Sequence, residues 1–86
     1  MRHVTLIPHS GARAQFEVVA SIRNPSENHR ANFLASKLSC DRAEVAGFVR
    51  LYHDSGYWVE VFAVAGRELL AGPFDPDAPA PARILF

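Results

Sequence analysis

Residues 48–62 read FVRLYHDSGYWVEVF, and this stretch decides the predicted fold because apolar residues alternate on both sides of a turn sequence. Asp54, Ser55 and Gly56 predict a three-residue loop with Gly56 in the left-handed conformation, which makes the stretch a β-hairpin. In that register Val49, Leu51, Val59 and Val61 would face the core. The opposite side would carry three cross-strand pairs: Phe48–Phe62, Arg50–Glu60 and Tyr52–Trp58.

Two further strands are predicted before the hairpin. Apolar residues near the N-terminus suggest a short strand that ends at Pro8. From Gln15 to Arg23 the apolar residues alternate with polar ones, a pattern typical of a half-buried strand. The residues predicted to face the core in this second strand are Phe16, Val18, Ala20 and Ile22.

The sequence Asn24-Pro25-Ser26-Glu27 predicts the start of a helix. Asn24 would be the N-cap, Pro25 would occupy the first helical position, and Glu27 could complete a capping box. Ala31, Leu34, Ala35 and Leu38 recur at helical spacing, so the helix is expected to run to about Ser39. Its narrow apolar face predicts packing on one side of a sheet.

The remaining residues predict a fifth strand and an arm. Gly66 and Arg67 suit a two-residue turn that leads into a strand from Glu68 to Ala71. Gly72 and Pro73 would end it, and the Pro/Ala-rich residues 75–86 predict an extended arm. We therefore expect one α+β domain over residues 1–74, with an antiparallel sheet of about five strands in the order ββαβββ and one helix on one face.

Composition limits the possible functions. The chain has 86 residues, nine basic and nine acidic side chains, and 49% hydrophobic residues, as expected of one folded domain without strong charge. The balance argues against a strongly basic nucleic-acid binder and against an acidic DNA mimic. The single cysteine, Cys40, allows no internal disulfide, and no apolar run approaches the length of a membrane span. We expect a cytoplasmic protein, without a membrane association.

The candidate binding site is the sheet face opposite the predicted helix. Such a face usually carries polar residues, whereas this one would carry aromatic side chains and an arginine, which are typical of protein interfaces. It could bind a partner protein or a second copy, it could be covered by Ile84, Leu85 and Phe86, or it could stack nucleic-acid bases. The candidate residues are Phe48, Arg50, Tyr52, Trp58, Glu60 and Phe62.

A second candidate interface consists of four basic residues on and beside the predicted helix. These are Arg23, Arg30, Lys37 and Arg42, and they could contact phosphate, although such a set is more often a solvated face. No two histidines have the spacing of metal ligands, and no nucleophile has a base at a recognisable spacing. We therefore expect no metal, no cofactor and no enzymatic activity.

In size and layout the chain resembles the anti-CRISPR inhibitors and other small proteins of phages and mobile elements. The resemblance rests on an N-terminal strand that contains Val4-Thr5-Leu6-Ile7-Pro8, an Ala-containing helix and a terminal β-meander. It implies a non-enzymatic inhibitor that binds a CRISPR effector subunit in the host cytoplasm and blocks nucleic-acid binding or nuclease recruitment. The alternative is a small RNA- or single-strand-binding module that uses the aromatic sheet face.

Overall fold

The computed structural model of this protein describes residues 15–27 and 33–86. Four strands and one helix follow in the order ββαββ. The strands are β1 (Phe16–Ser21), β2 (Leu34–Cys40), β3 (Trp58–Ala63) and β4 (Leu69–Phe74). The helix, α1, covers Arg42–Asp54 and connects β2 to β3.

The four strands form one antiparallel sheet in the order β2-β1-β3-β4. Val18 lies opposite Leu38 of β2 and Val61 of β3, which fixes the register on both sides of β1. The predicted class, a small α+β domain with an antiparallel sheet and one helix, is confirmed. The described part of the sheet has four strands rather than about five, and the strand predicted to end at Pro8 lies outside the described residues.

The predicted hairpin at 48–62 is wrong in its first half, which belongs to α1. The side chain of Asp41 accepts from the backbone N–H of Glu44, and the side chain of Glu44 accepts from the backbone N–H of Asp41, which forms a capping box. At the other end Gly56 has a φ of 93° and follows the C-cap residue, Ser55. The left-handed glycine was correctly placed, but it ends a helix.

The predicted helix from Pro25 to Ser39 is also wrong, because Leu34–Cys40 form β2. The side-chain oxygen of Asn24 accepts from the backbone N–H and from the hydroxyl of Ser26, and so closes a local turn. Asparagine caps helices and turns by the same hydrogen bond, which explains the error. The later residues pair with β1, a contact that local spacing does not reveal; residues 28–32 of the predicted helix lie outside the described part.

The main core lies between α1 and one face of the sheet. Its buried residues come from β1, β2, α1, β3 and the C-terminal arm: Val18, Cys40, Val45, Val49, Val59, Val61 and Ile84. The predicted core positions Val18, Val59 and Val61 are confirmed. Leu51, predicted as a core residue, is instead exposed on α1, and Ile22 lies exposed beyond the end of β1.

The connection between β3 and β4 is a tight turn at Val64–Arg67. The backbone N–H of Ala63 donates to the carbonyl of Glu68, 2.8 Å away, so the turn contains four residues rather than the two predicted. Gly66 and Arg67 both have positive φ, as expected at such a reversal. The peptide bond between Gly72 and Pro73 in β4 is cis. β4 is an edge strand, where proline is tolerated because it has no N–H to donate to a neighbouring strand.

The C-terminal arm, residues 75–86, packs against α1. Ile84 is buried in the main core, and the ring of Phe86 lies 5.4 Å from that of Phe16 at the start of β1. Near the opposite end of the arm, the carbonyl of Ala78 accepts from His53 of α1 at 2.7 Å. The arm therefore runs back along one flank of the helix, and Ile84 does not lie across Trp58 as one prediction proposed.

Candidate functional site

The six residues of the predicted binding face do not share one face in the structure. Three of them belong to α1: Phe48 and Tyr52 are partly buried against the core, and Arg50 is exposed. The other three, Trp58, Glu60 and Phe62, belong to β3. The structure thus keeps Phe48 near Tyr52 and separates this pair from Trp58, Glu60 and Phe62.

The sheet face that points away from α1 is largely buried. Glu60 has no exposed surface, and Val19, Ser21 and Phe62 are also buried, whereas Trp58 is half-buried. Glu17 lies on this face beside Phe62, and its Oε1 is 3.4 Å from the Arg67 guanidinium. Of the two aromatic side chains of β3 on this face, Phe62 is buried and Trp58 is half-buried.

The four basic residues of the second candidate interface do not form a helix face either. Arg23 lies beyond β1, Lys37 is exposed in the middle of β2, and Arg42 opens α1. Arg42 donates to the carbonyl oxygens of Ile84 and Phe86 and stacks on the Phe86 ring at 4.8 Å. Its contacts anchor the arm, while Arg30 lies outside the described residues.

One flank of α1 is covered and the other is open. The helix lies over β1 and β3, and the arm covers the flank that contains His53 and Ala46. On the opposite flank, beside β2, Ser36 is exposed and Leu38 is partly buried, and both lie on the α1 side of the sheet. We call this surface the α1–β2 groove; its residues are Ser36, Leu38, Phe48, Leu51 and Tyr52.

A hydrogen bond of 3.0 Å between the hydroxyl groups of Ser36 and Tyr52 joins the two walls of the groove. The Tyr57 ring packs edge-on against the Tyr52 ring, with 6.4 Å between the ring centroids. Leu51 is 55% exposed on α1, whereas Phe48 and Leu38 are partly buried. The groove therefore has a packed floor and an exposed leucine at its α1 side. Leu34, 46% exposed, pairs with Ser21 and belongs to the other face of the sheet.

The five residues of the groove include no charged side chain. Glu44 lies on the same helix, and its carboxylate is engaged in the capping box. Arg50 and Asp54 form an ion pair of 3.5 Å on the exposed side of the helix.

Cys40 is the only thiol, and it lies buried at the end of β2, just before the N-cap of α1. Burial raises the pKa of its thiol to about 11, and the carboxylates of Glu44 and Asp41 act in the same direction. A protonated, buried thiol is a poor nucleophile. Across residues 15–27 and 33–86, no cluster of His, Cys, Asp and Glu could hold a metal ion.

The sequence also contains signals that specify α1. Asp41 and Glu44 have the spacing of a capping box, and Val45, Val49 and His53 recur every four residues up to Gly56. Together these features predict a helix with the observed bounds. The alternation of Val49 and Leu51 concealed it, because a short apolar run fits both periods.

Comparisons with protein-family models, with curated proteins and with solved structures found no match to this chain. Within the described residues, α1 is the longest helix and is neither long nor apolar enough to cross a bilayer.

Proposed function

We propose that this protein is a protein-binding domain whose partner docks in the α1–β2 groove. The observation that carries the proposal is the exposed Leu51 beside a packed floor formed by Leu38, Phe48 and Tyr52. Apolar patches of this kind mark interaction sites because burying them releases ordered water. The proposed role is non-catalytic.

The predicted partner surface is apolar and includes no obligatory phosphate contact. Phe48 and Tyr52, which the sequence assigned to a binding face, contribute aromatic area to the groove floor. Complete burial of a leucine stabilises a complex by roughly 1.5–3 kcal/mol. Leu51→Asp should therefore weaken binding by about 10- to 100-fold. Inhibition of a host defence complex, implied by the resemblance to anti-CRISPR proteins, stays a prediction.

Site-specific photo-cross-linking in living cells tests the proposal. A benzophenone amino acid is placed at Ser36 or Leu51, and controls carry it at the exposed leucines Leu69 and Leu85. The two groove positions should yield the same cross-linked protein, identified by mass spectrometry, and the controls should not. In a chain that also carries Leu51→Asp, the cross-link from position 36 should be lost.

Equal cross-linking from all four positions, or none from the groove positions, would contradict the proposal. A product of twice the monomer mass would identify a second copy of the chain as the partner. A salt-sensitive complex with single-stranded RNA in a gel-shift assay, abolished by changes at Lys37 and Arg23, would instead favour nucleic-acid binding.

A further inference from the structure

The C-terminal arm is fixed to α1 at two places that differ in chemistry. At the start of the helix, Arg42 donates from Nη2 to the carbonyl of Ile84 at 3.3 Å and to that of Phe86 at 3.2 Å. Near the end of the helix, the Nε2 atom of His53 lies 2.7 Å from the carbonyl oxygen of Ala78. An arginine keeps its charge at all ordinary pH values, whereas a histidine does not.

His53 has an acceptor at each ring nitrogen. Nδ1 lies 3.1 Å from Oδ1 of Asp54, and Nε2 faces the Ala78 carbonyl. A carbonyl oxygen and an ionised carboxylate can only accept, so both ring nitrogens must carry a proton to make both bonds. The neutral ring has one proton and must give up one of the two hydrogen bonds. The ionised carboxylate of Asp54 favours the tautomer that keeps the proton on Nδ1, so the bond from Nε2 to the Ala78 carbonyl is the one lost.

The electrostatic surroundings of His53 favour the charged ring. On α1 the nearby charges are Asp54 and its partner Arg50, and on the arm a backbone hydrogen bond to Asp75 also favours the charged ring. Glu60 of β3 is on the sheet face that points away from α1. Hydrogen bonds to Asp54 and then to Ala78 raise the pKa of His53, and burial opposes them.

Two further features favour the charged form of His53. His53 lies in the last turn of α1, where the helix dipole favours a positive charge. The pKa of Asp54 is lowered, first by its hydrogen bond with His53, so the carboxylate stays ionised and continues to accept. The ring itself is 8% exposed and can exchange its proton with solvent.

We propose that residues 75–80 form a pH-sensitive latch, closed by the His53 imidazolium and opened by loss of its proton, while Arg42 keeps residues 84–86 in place. The contribution of the latch to the stability of the docked arm is fully present below the usual histidine pKa of about 6.5. It is lost as the pH rises through the higher pKa of the folded state. Acidification closes the latch, and alkalinisation opens it.

Opening the latch would uncover an apolar seam between the arm and α1. A cavity of about 90 Å³ already exists there, lined in part by Ala46, Val49, Pro81 and Ile84. This seam lies on the flank of α1 opposite the α1–β2 groove. The latch therefore does not rest on the proposed function, and its test is independent of any partner.

Nuclear magnetic resonance of the full chain between about pH 5 and about pH 9 tests the latch. The ring signals of His53 and the backbone amides of Ala78 and Ala80 should titrate with one common midpoint above 6.5. Amide exchange at Ala78 should quicken above that midpoint, and the amide of Ile84 should change little.

Two variants make the test specific. Asp54→Asn removes the carboxylate that stabilises the second ring proton of His53, so it should lower the midpoint of the titration. Asp77→Asn, on the exposed arm, should shift this midpoint much less. Since Asp54 is exposed, its variant should fold. His53→Gln should remove the transition from the arm amides altogether.

A His53 midpoint at or below 6.5 would overturn the proposal. It would also be overturned if the Ala78 and Ala80 amides stayed constant through the His53 midpoint, or if Asp54→Asn left that midpoint unchanged.

Discussion

Gly56 and Gly72 have the same backbone conformation but different surroundings. Both have a φ of 93°, a region that L side chains rarely adopt. A Cβ at Gly56 would meet no atom within 4 Å, whereas one at Gly72 would clash with the Val59 carbonyl oxygen. The two positions therefore separate the conformational cost of a side chain from the steric cost.

Gly56→Ala should lower the free energy of unfolding by about 1–2 kcal/mol, the cost of a left-handed residue. Gly72→Ala should lower it by clearly more, because β3 and β4 must also move apart. Urea denaturation followed by circular dichroism gives both values. Equal losses for the two variants would contradict the close approach of β4 to β3.

Cys40 offers a chemical probe of the same packing. Its thiol is buried and has a pKa of about 11, so the reactive thiolate is scarce at pH 8. We expect very slow reaction with Ellman's reagent in the native protein and rapid, complete reaction in denaturant. Rapid labelling of the native protein would show that the end of β2 is not buried.

At the scale of elements, local chemistry sets both ends of α1. The capping box of Asp41 and Glu44 satisfies backbone donors in the first turn. At the other end, the backbone N–H of Gly56 donates to His53 and that of Tyr57 donates to Tyr52, which are the two bonds of a Schellman motif. These signals lie in the sequence, and they specify the helix without reference to the rest of the fold.

Asp41→Ala should lower the free energy of unfolding by about 0.5–2 kcal/mol, because the N–H of Glu44 loses its side-chain acceptor. Asp41→Asn should retain most of the stability, since asparagine is an equally good N-cap. Thermal melts of the three proteins measure this difference. If Asp41→Ala and Asp41→Asn destabilise equally, the capping interaction does not explain the start of α1.

The strands were harder to predict than the ends of α1. β1 can be recognised from the sequence because apolar and polar residues alternate along it. In the structure it pairs with both β2 and β3, and one of its faces packs under α1. β2 could not be recognised from Leu34, Ala35 and Leu38, whose spacing also fits a helix. The pairing of Val18 with Leu38 makes this segment a strand rather than a helix. The spacing of neighbouring residues cannot predict a contact between residues so far apart in the sequence.

At the scale of the whole molecule, the arm is part of the folded core. Ile84 is 8% exposed among core residues, while its neighbour Leu85 is 78% exposed. Ile84→Ala should cost about 2–5 kcal/mol, and Leu85→Ala should change stability by less than about 0.5 kcal/mol. Denaturant titration measures both. Similar small effects would mean that the arm does not pack into the core.

The location of the candidate site depends on how the layers are arranged. Phe48 and Tyr52, predicted to lie on an open sheet face, are partly buried side chains of α1 in the α1–β2 groove. Leu38 and Leu51, also in the groove, were predicted as core residues of a helix and of the hairpin. The open flank arises only because α1 lies over β1 and β3.

The central claim is that residues 42–54 form a helix whose one flank carries the arm and whose other flank faces β2. Nuclear Overhauser effects measured by NMR test this directly. We predict an unbroken series of amide–amide contacts from Arg42 to Asp54, with side-chain contacts from Tyr52 to Ser36 and from Val49 to Ile84. Cross-strand contacts between Tyr52 and Trp58, as in a hairpin, would contradict the account.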